Sequence, residues 1–144
     1  GELWIDELLF AKSYDNLMIA RHLDESGIER NVPIIADSAE PKSIREIASQ
    51  GWRIEAAQKG ADSILTGIGI LNRYTKHVTA RSLNIINEYR NYRWQTDQDG
   101  NALNRPIDRY NHSIDAQRYV CLNKLLERGS NSLSYGVIQG RRGV

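Results

Sequence analysis

Two short stretches of this sequence hold side chains whose types and spacing suit chemistry on a phosphate. The first is Ile34-Ile35-Ala36-Asp37, an apolar run closed by a carboxylate, with Ser38, Glu40 and a helix-compatible segment after it. In open α/β sheets ligand sites form at the carboxyl ends of strands, which makes Asp37 a candidate catalytic and metal-binding residue. Its plain alternatives are a helix cap and an Asx turn. Glu40, directly before Pro41, reads better as a helix-end residue than as a ligand. The second stretch is His112-Ser113-Ile114-Asp115, at the start of the last helical segment. Residues three apart on a helix share a face, with Cβ atoms about 5–6 Å apart, so His112 and Asp115 can address one ion. An imidazole beside a carboxylate suits Mn²⁺ better than Mg²⁺. The alternative stays open: Asn111 or His112 caps the helix, and Asp115 sits at the positive end of its dipole.

Carboxylates on a strand end and a helix start together suggest a two-metal phosphodiester site, in which ions about 3.5–4 Å apart activate water and stabilise the leaving oxygen. Charge balance poses a problem. Two divalent ions outweigh Asp37 and Asp115 even with a DNA phosphate present, and no other residue stands out as the extra acid. Asp6 falls in a strand and is expected to face solvent; Asp62 is expected at a helix N-cap or in its first turn. Lys59 is a candidate phosphate contact or charge stabiliser, against a solvated loop lysine. Arg105 and Arg109, in the loop before the last helix, are further nucleic-acid candidates. The run Tyr89-Arg90-Asn91-Tyr92-Arg93-Trp94 interleaves cations with aromatics, as base-stacking surfaces do, but a half-wet strand gives the same pattern. His22 and His77 carry no assigned chemistry. No Ser/Thr–His–Asp nucleophilic set is visible. Gly67-Ile68-Gly69 lies inside a helical pattern and lacks the Lys-Ser/Thr of a phosphate loop.

These residues need elements to hold them. The pattern predicts a strand over 3–10, with adjacent Trp4 and Ile5 suggesting burial on both faces. A helix over 15–26 follows, capped by Asp15 and stopped by Gly27. A short interior strand over 32–36 leads into a helix from Pro41 to about Gln50, closed by Gly51. Next come a strand over 52–56 and a helix from Ala61 to about Tyr74, where Gly67 and Gly69 imply close packing or a bend. A brief strand over 77–79 and a helix capped by Ser82 precede a strand over 92–95, whose Asp99-Gly100 turn favours a hairpin. The last helix runs from near Asn111 to about Glu127, and Gly129 ends it. Alternating strands and helices argue for an α/β fold with a largely parallel interior and an antiparallel edge.

The chain has 144 residues, 40% of them apolar, which suits one compact domain. Residues 1–128 are expected to form it, and 129–144, rich in Ser, Gly and Arg, a flexible tail. No apolar run approaches the roughly 20 residues that cross a bilayer, and no secretory signal is visible. A soluble, cytoplasmic protein is expected. Cys121 is the only cysteine, so no intrachain disulfide forms, and a buried core position is expected for it. The first residue is not Met, and the one Met is Met18, which suggests an excised fragment. A net charge of +1 is low for a dedicated DNA binder, though a nuclease can borrow affinity from partner domains.

The segment from Ile34 to about Ile68 with its Ala-Asp-Ser-Ala-Glu-Pro-Lys-Ser-Ile motif, then Ser82–Trp94, then Asp108–Val120 with His-Ser-Ile-Asp-Ala, resembles the C-terminal nuclease domain of phage terminase large subunits, in the branch found in PBSX-like prophages. The likeness extends from about Leu3 to Tyr119. It implies an RNase H-like mixed sheet flanked by helices, and a Mg²⁺- or Mn²⁺-dependent endonuclease that cuts concatemeric viral double-stranded DNA during genome packaging. It further implies Asp37 and Asp115 as metal ligands with His112 beside them. The implied partners are DNA, the terminase ATPase domain, the small subunit and the portal. In that family the first metal-binding Asp lies on a strand before the one that opens this chain. A missing first strand would account for the acid that charge balance asks for, and would impair cleavage. Two other readings stay open: a non-catalytic DNA- or portal-docking module, and a resolvase- or transposase-like nuclease of the same superfold.

Overall fold

The computed structural model describes residues 1–125 and 136–138. Strand β1 (Glu2–Ile5) pairs in parallel with β4 (Thr75–Val78), Trp4 lying opposite His77. Strand β2 (Ile34–Ala36) is flanked in parallel by β3 (Ile54–Ala56) and β7 (Gly136–Ile138). Strands β5 (Trp94–Thr96) and β6 (Ala102–Pro106) form an antiparallel hairpin. The helices are α1 (Asn16–Glu25), α2 (Pro41–Ser49), α3 (Ser63–Leu71), α4 (Leu83–Asn91) and α5 (His112–Val120), the last continued by a π-helical turn, Cys121–Leu125. The parallel pairings follow the alternation in the sequence, but the antiparallel hairpin is a sheet of its own and not an edge of the parallel one among the described residues.

The three residues of β2 are all buried, and their pleat divides the core. Ile34 packs with Ala20, Leu23, Ile47 and Trp52 beneath α1 and α2. Ile35, on the other face, packs with Ala57 and Tyr119 beneath α5. That two-sided burial fixes the register and delivers Asp37, the next residue, to the strand's carboxyl end.

Several local expectations need correction. β1 stops at Ile5, and Trp4 is 77% exposed and stacked on the His77 ring rather than buried. Ser82 is buried and stands at the N-cap position of α4, but its hydroxyl makes no capping bond; it accepts from Glu7 N–H and bonds Thr79 Oγ1. Glu7 caps that helix instead, accepting from Ile85 N–H at 3.0 Å. Asp62 precedes α3 at a left-handed φ of 58° and makes no capping bond. Within α3, a Cβ on Gly67 would stand 3.0 Å from the Arg118 Cβ, so that glycine does mark close packing, whereas Gly69 meets nothing. Part of the expected tail, Gly136–Ile138, is a strand along β2, a pairing that the polar composition around it concealed. The expected end of the last helix, near Glu127 and Gly129, lies outside the described residues. Asp15 does cap α1, accepting from Met18 N–H, and Cys121 is buried.

Candidate metal and nucleic-acid site

Asp37 is 8% exposed. One of its carboxylate oxygens accepts from Ala39 N–H at 3.0 Å, an Asx turn that fixes the loop into α2. The same oxygen takes a hydrogen bond from the Lys59 ammonium at 2.6 Å, and the other faces the Tyr119 hydroxyl at 3.4 Å. Burial alone would resist ionisation. The hydrogen bonds from Lys59 and Ala39, with the lysine's charge, outweigh it and hold the carboxyl below its usual range. Lys59 lies over the Tyr119 ring, 4.9 Å from its centre, and its side chain is 35% exposed.

Asp115 sits one turn into α5, where its carboxylate takes a hydrogen bond from Arg118 at 2.5 Å. The two form a pair whose side chains are 10% and 4% exposed. The Arg118 guanidinium reaches the Ser63 carbonyl at 3.4 Å and lies 5.7 Å from the Tyr119 ring centre. The two predicted aspartates therefore lie along one line of contacts: Asp37 and Lys59, Tyr119, Arg118 and Asp115. Tyr119 is the shared wall between them. Burial and both neighbouring carboxylates raise its phenol above the ordinary value.

The other expected residues fall in different places. His112 is exposed at the first position of α5, and its ring meets Phe10 edge-on at 6.3 Å. Among the described residues no three His, Cys, Asp or Glu side chains gather where one ion could be held. Asp37, Asp115 and His112 therefore do not form a common coordination shell. The N–H groups at the start of α5 are satisfied by another residue, Glu88. That carboxylate, 3% exposed, accepts from the N–H groups of His112, Ser113 and Ile114 at 3.1, 2.8 and 3.3 Å. Asn111 holds the N-cap position, but neither its side chain nor that of His112 makes the capping bond. Glu88 sits on α4 in a pattern that looks like a surface acid, and no local signal distinguishes it.

Arg105 on β6 lines a groove with Gly60, Asp62, Ser63 and Asn104, next to the loop that carries Lys59. Arg109 lies 5.8 Å from the Tyr110 ring centre in the loop before α5. On the far side of the hairpin, Tyr89, Tyr92, Arg93 and Trp94 line a separate cleft with Lys76. Asp6 is engaged rather than free, accepting from Arg81 Nε at 2.8 Å and Thr79 Oγ1 at 2.6 Å.

The donor chemistry fits a hard divalent ion at Asp37. Carboxylate oxygen is the ligand such ions take, and the atom is already held by a cation that is one-third exposed. It does not fit two ions with the described residues alone, since Asp115 is tied to a buried arginine and no third carboxylate is near.

The parallel-centred α/β domain, with an acid at the end of its middle strand and a helix packed across it, matches a nuclease domain of the RNase H-like fold. The chain belongs to the terminase RNase H-like domain family, whose model matches residues 2–121. It is 39% identical over 104 residues to the terminase large subunit of Bacillus phage SPP1, a match covering 69% of this chain and 24% of that protein. It also superposes with a TM-score of 0.68 and 34% identity on the crystal structure of the large-terminase nuclease domain of bacteriophage SPP1 with bound Mn. That match covers 76% of this chain and 63% of the other, so the chain spans less than two thirds of either relative. Among the described residues no helix is long and apolar enough to cross a membrane.

Proposed function

We propose that this chain is the nuclease part of a phage terminase large subunit, a divalent-metal-dependent endonuclease acting on concatemeric double-stranded DNA during genome packaging. The observation that carries the reading is the placement of Asp37 at the carboxyl end of β2 with α5, bearing Asp115, packed against the same strand. The bound Mn of the SPP1 nuclease domain supports a divalent cation.

Asp37 would hold the ion, with Asp115 across Tyr119 as the second carboxylate. Mg²⁺ or Mn²⁺ there would activate water and stabilise charge on the phosphate. Lys59, Arg105 and Arg109 would bind the DNA backbone, Arg105 from the groove next to the Lys59 loop. His112 would act from the edge of the site. A two-ion mechanism needs a further carboxylate beyond the described residues. The ATPase domain, small subunit and portal would be its partners in the cytoplasm of the infected host.

A second reading, a non-catalytic module that docks DNA or the portal, is favoured by one observation: both aspartates are already neutralised by cations of the protein itself. Cleavage of linear DNA in Mn²⁺ and Mg²⁺, with and without chelator, separates the two. Asp37→Asn is expected to lower cleavage by at least about 100-fold while circular dichroism stays native, on the scale of losing a transition-state charge contact. Asp115→Asn is expected to lower cleavage and stability together, because it leaves the buried Arg118 without its carboxylate. Undiminished cleavage by both variants would remove the pair from the chemistry. DNA binding indifferent to chelator, with no cleavage, would favour docking.

A further inference from the structure

The two ion pairs beside Tyr119 differ in one respect that bears on how a cation would enter. Arg118 is buried, its stem wedged against Gly67 and its guanidinium also on the Ser63 carbonyl. Lys59 is a flexible side chain on the loop after β3, one-third exposed, tethered to Asp37 at 2.6 Å. Its neighbour Gly60 lines the groove that holds Arg105.

We propose that Lys59 is a built-in cation on Asp37 that a divalent ion must displace, so that metal entry releases the ammonium toward the phosphate in the Arg105 groove. This rests on the reading of Asp37 as a metal ligand. The charge argument is simple. Asp37 and Lys59 sum to zero, and a divalent ion on the same oxygen leaves the carboxylate site positive. An ammonium a few ångströms away is then repelled, where before it was attracted. The nearest anion would be substrate phosphate, for which an ammonium on a long stem is a suitable point charge. Arg118 cannot make the same exchange, because an ion on Asp115 would leave its own guanidinium, 4% exposed, buried without a carboxylate. Asp37 is therefore where an ion enters, and Lys59 makes ion binding and DNA binding support each other.

Mn²⁺ binding to the folded chain, followed by the electron paramagnetic resonance signal of the free aquo ion, tests this without any cleavage readout. Lys59→Met is expected to bind Mn²⁺ about tenfold more tightly than wild type, the equivalent of one charge-assisted hydrogen bond no longer to be broken. Lys59→Arg keeps the charge and is expected to bind no more tightly than wild type. Asp37→Asn is expected to lose the site, which separates it from Mn²⁺ held elsewhere on the surface. If Asp37→Asn abolishes binding but Lys59→Met binds as wild type or more weakly, the exchange is wrong and Asp37 survives as a ligand. If Asp37→Asn binds Mn²⁺ as wild type does, the ligand assignment falls and the exchange with it.

Discussion

The pairs Asp37–Lys59 and Asp115–Arg118 share one tyrosine ring and much the same charge, yet they are built for different purposes. The Lys59 ammonium is partly solvated and pairs with a carboxylate in a loop. The Arg118 guanidinium is 4% exposed and pairs with an acid three residues earlier on the same helix. Both its charge and its stem are committed to the core, and its Nε has no partner at all among the described residues. A pair whose cation is partly solvated can open with water taking the cation's place, whereas a pair with both partners dry cannot be opened without leaving a bare charge behind. The lesson is that one half of this centre is a place for exchange and the other a fixed wall.

The largest effect should come from breaking the wall. Arg118→Ala is expected to destabilise the chain by about 3–5 kcal/mol, because Asp115 would stay buried without its cation. Lys59→Ala should cost less, about 1 kcal/mol, because water can replace the partly exposed ammonium and Asp37, though only 10% exposed like Asp115, keeps its Ala39 N–H bond. Urea denaturation of both variants measures the contrast directly. Equal losses would mean that burial does not distinguish the two pairs. Gly67 sharpens the point, since its missing Cβ is what lets the Arg118 stem lie against α3.

A smaller loss is expected at the residue that positions the Asp115 turn. Glu88→Ala removes an acceptor shared by three N–H groups at the start of α5. Loss of a helix N-cap costs about 1–2 kcal/mol, and a negative charge at that end of the dipole adds to it. Denaturant midpoints with unchanged slope would register it, and an unaltered midpoint would show the cap to be dispensable.

Much of this centre was legible from the residues in order. The Ile34-Ile35-Ala36 run is too short and too apolar to be anything but an interior strand, so Asp37 had to emerge at its end. Asp115 had to lie one turn into a helix. What the sequence did not carry was pairing across distance. Lys59 reads from the sequence as a solvated loop lysine or a phosphate contact, and nothing local shows that it holds Asp37 over 22 positions. Glu88 and Glu7 drew no assignment from the sequence, and each caps a helix that it meets only in the folded chain. Arg118 lay inside a segment whose pattern was read for its apolar residues, and its burial follows from a gap left by Gly67 on another helix. Periodicity reports which face is inward; it has no term for a charged residue that goes inward because its partner is there.

A third ion pair tests whether exposure alone sets the character of such contacts. Asp6 accepts from Arg81 and Thr79 near the end of β1 and faces water along with its arginine. The Arg81 and Thr79 hydrogen bonds outweigh slight desolvation and lower its carboxyl to about 2. The ordinary unfolded value is about 3.9, so the folded chain binds this proton less readily than the unfolded one. The stabilisation is therefore complete above about pH 4 and fades as the pH falls toward about 2. Asp6→Asn should lower stability slightly at neutral pH, with the gap to wild type closing through that acid window. It should be the smallest of these effects, because both partners are solvated. Thermal unfolding of the two proteins from pH 6 down to the edge of acid denaturation would show the convergence. A gap that stayed constant with pH would mean that the Asp6 contribution comes from its hydrogen-bonding shape and not from its charge.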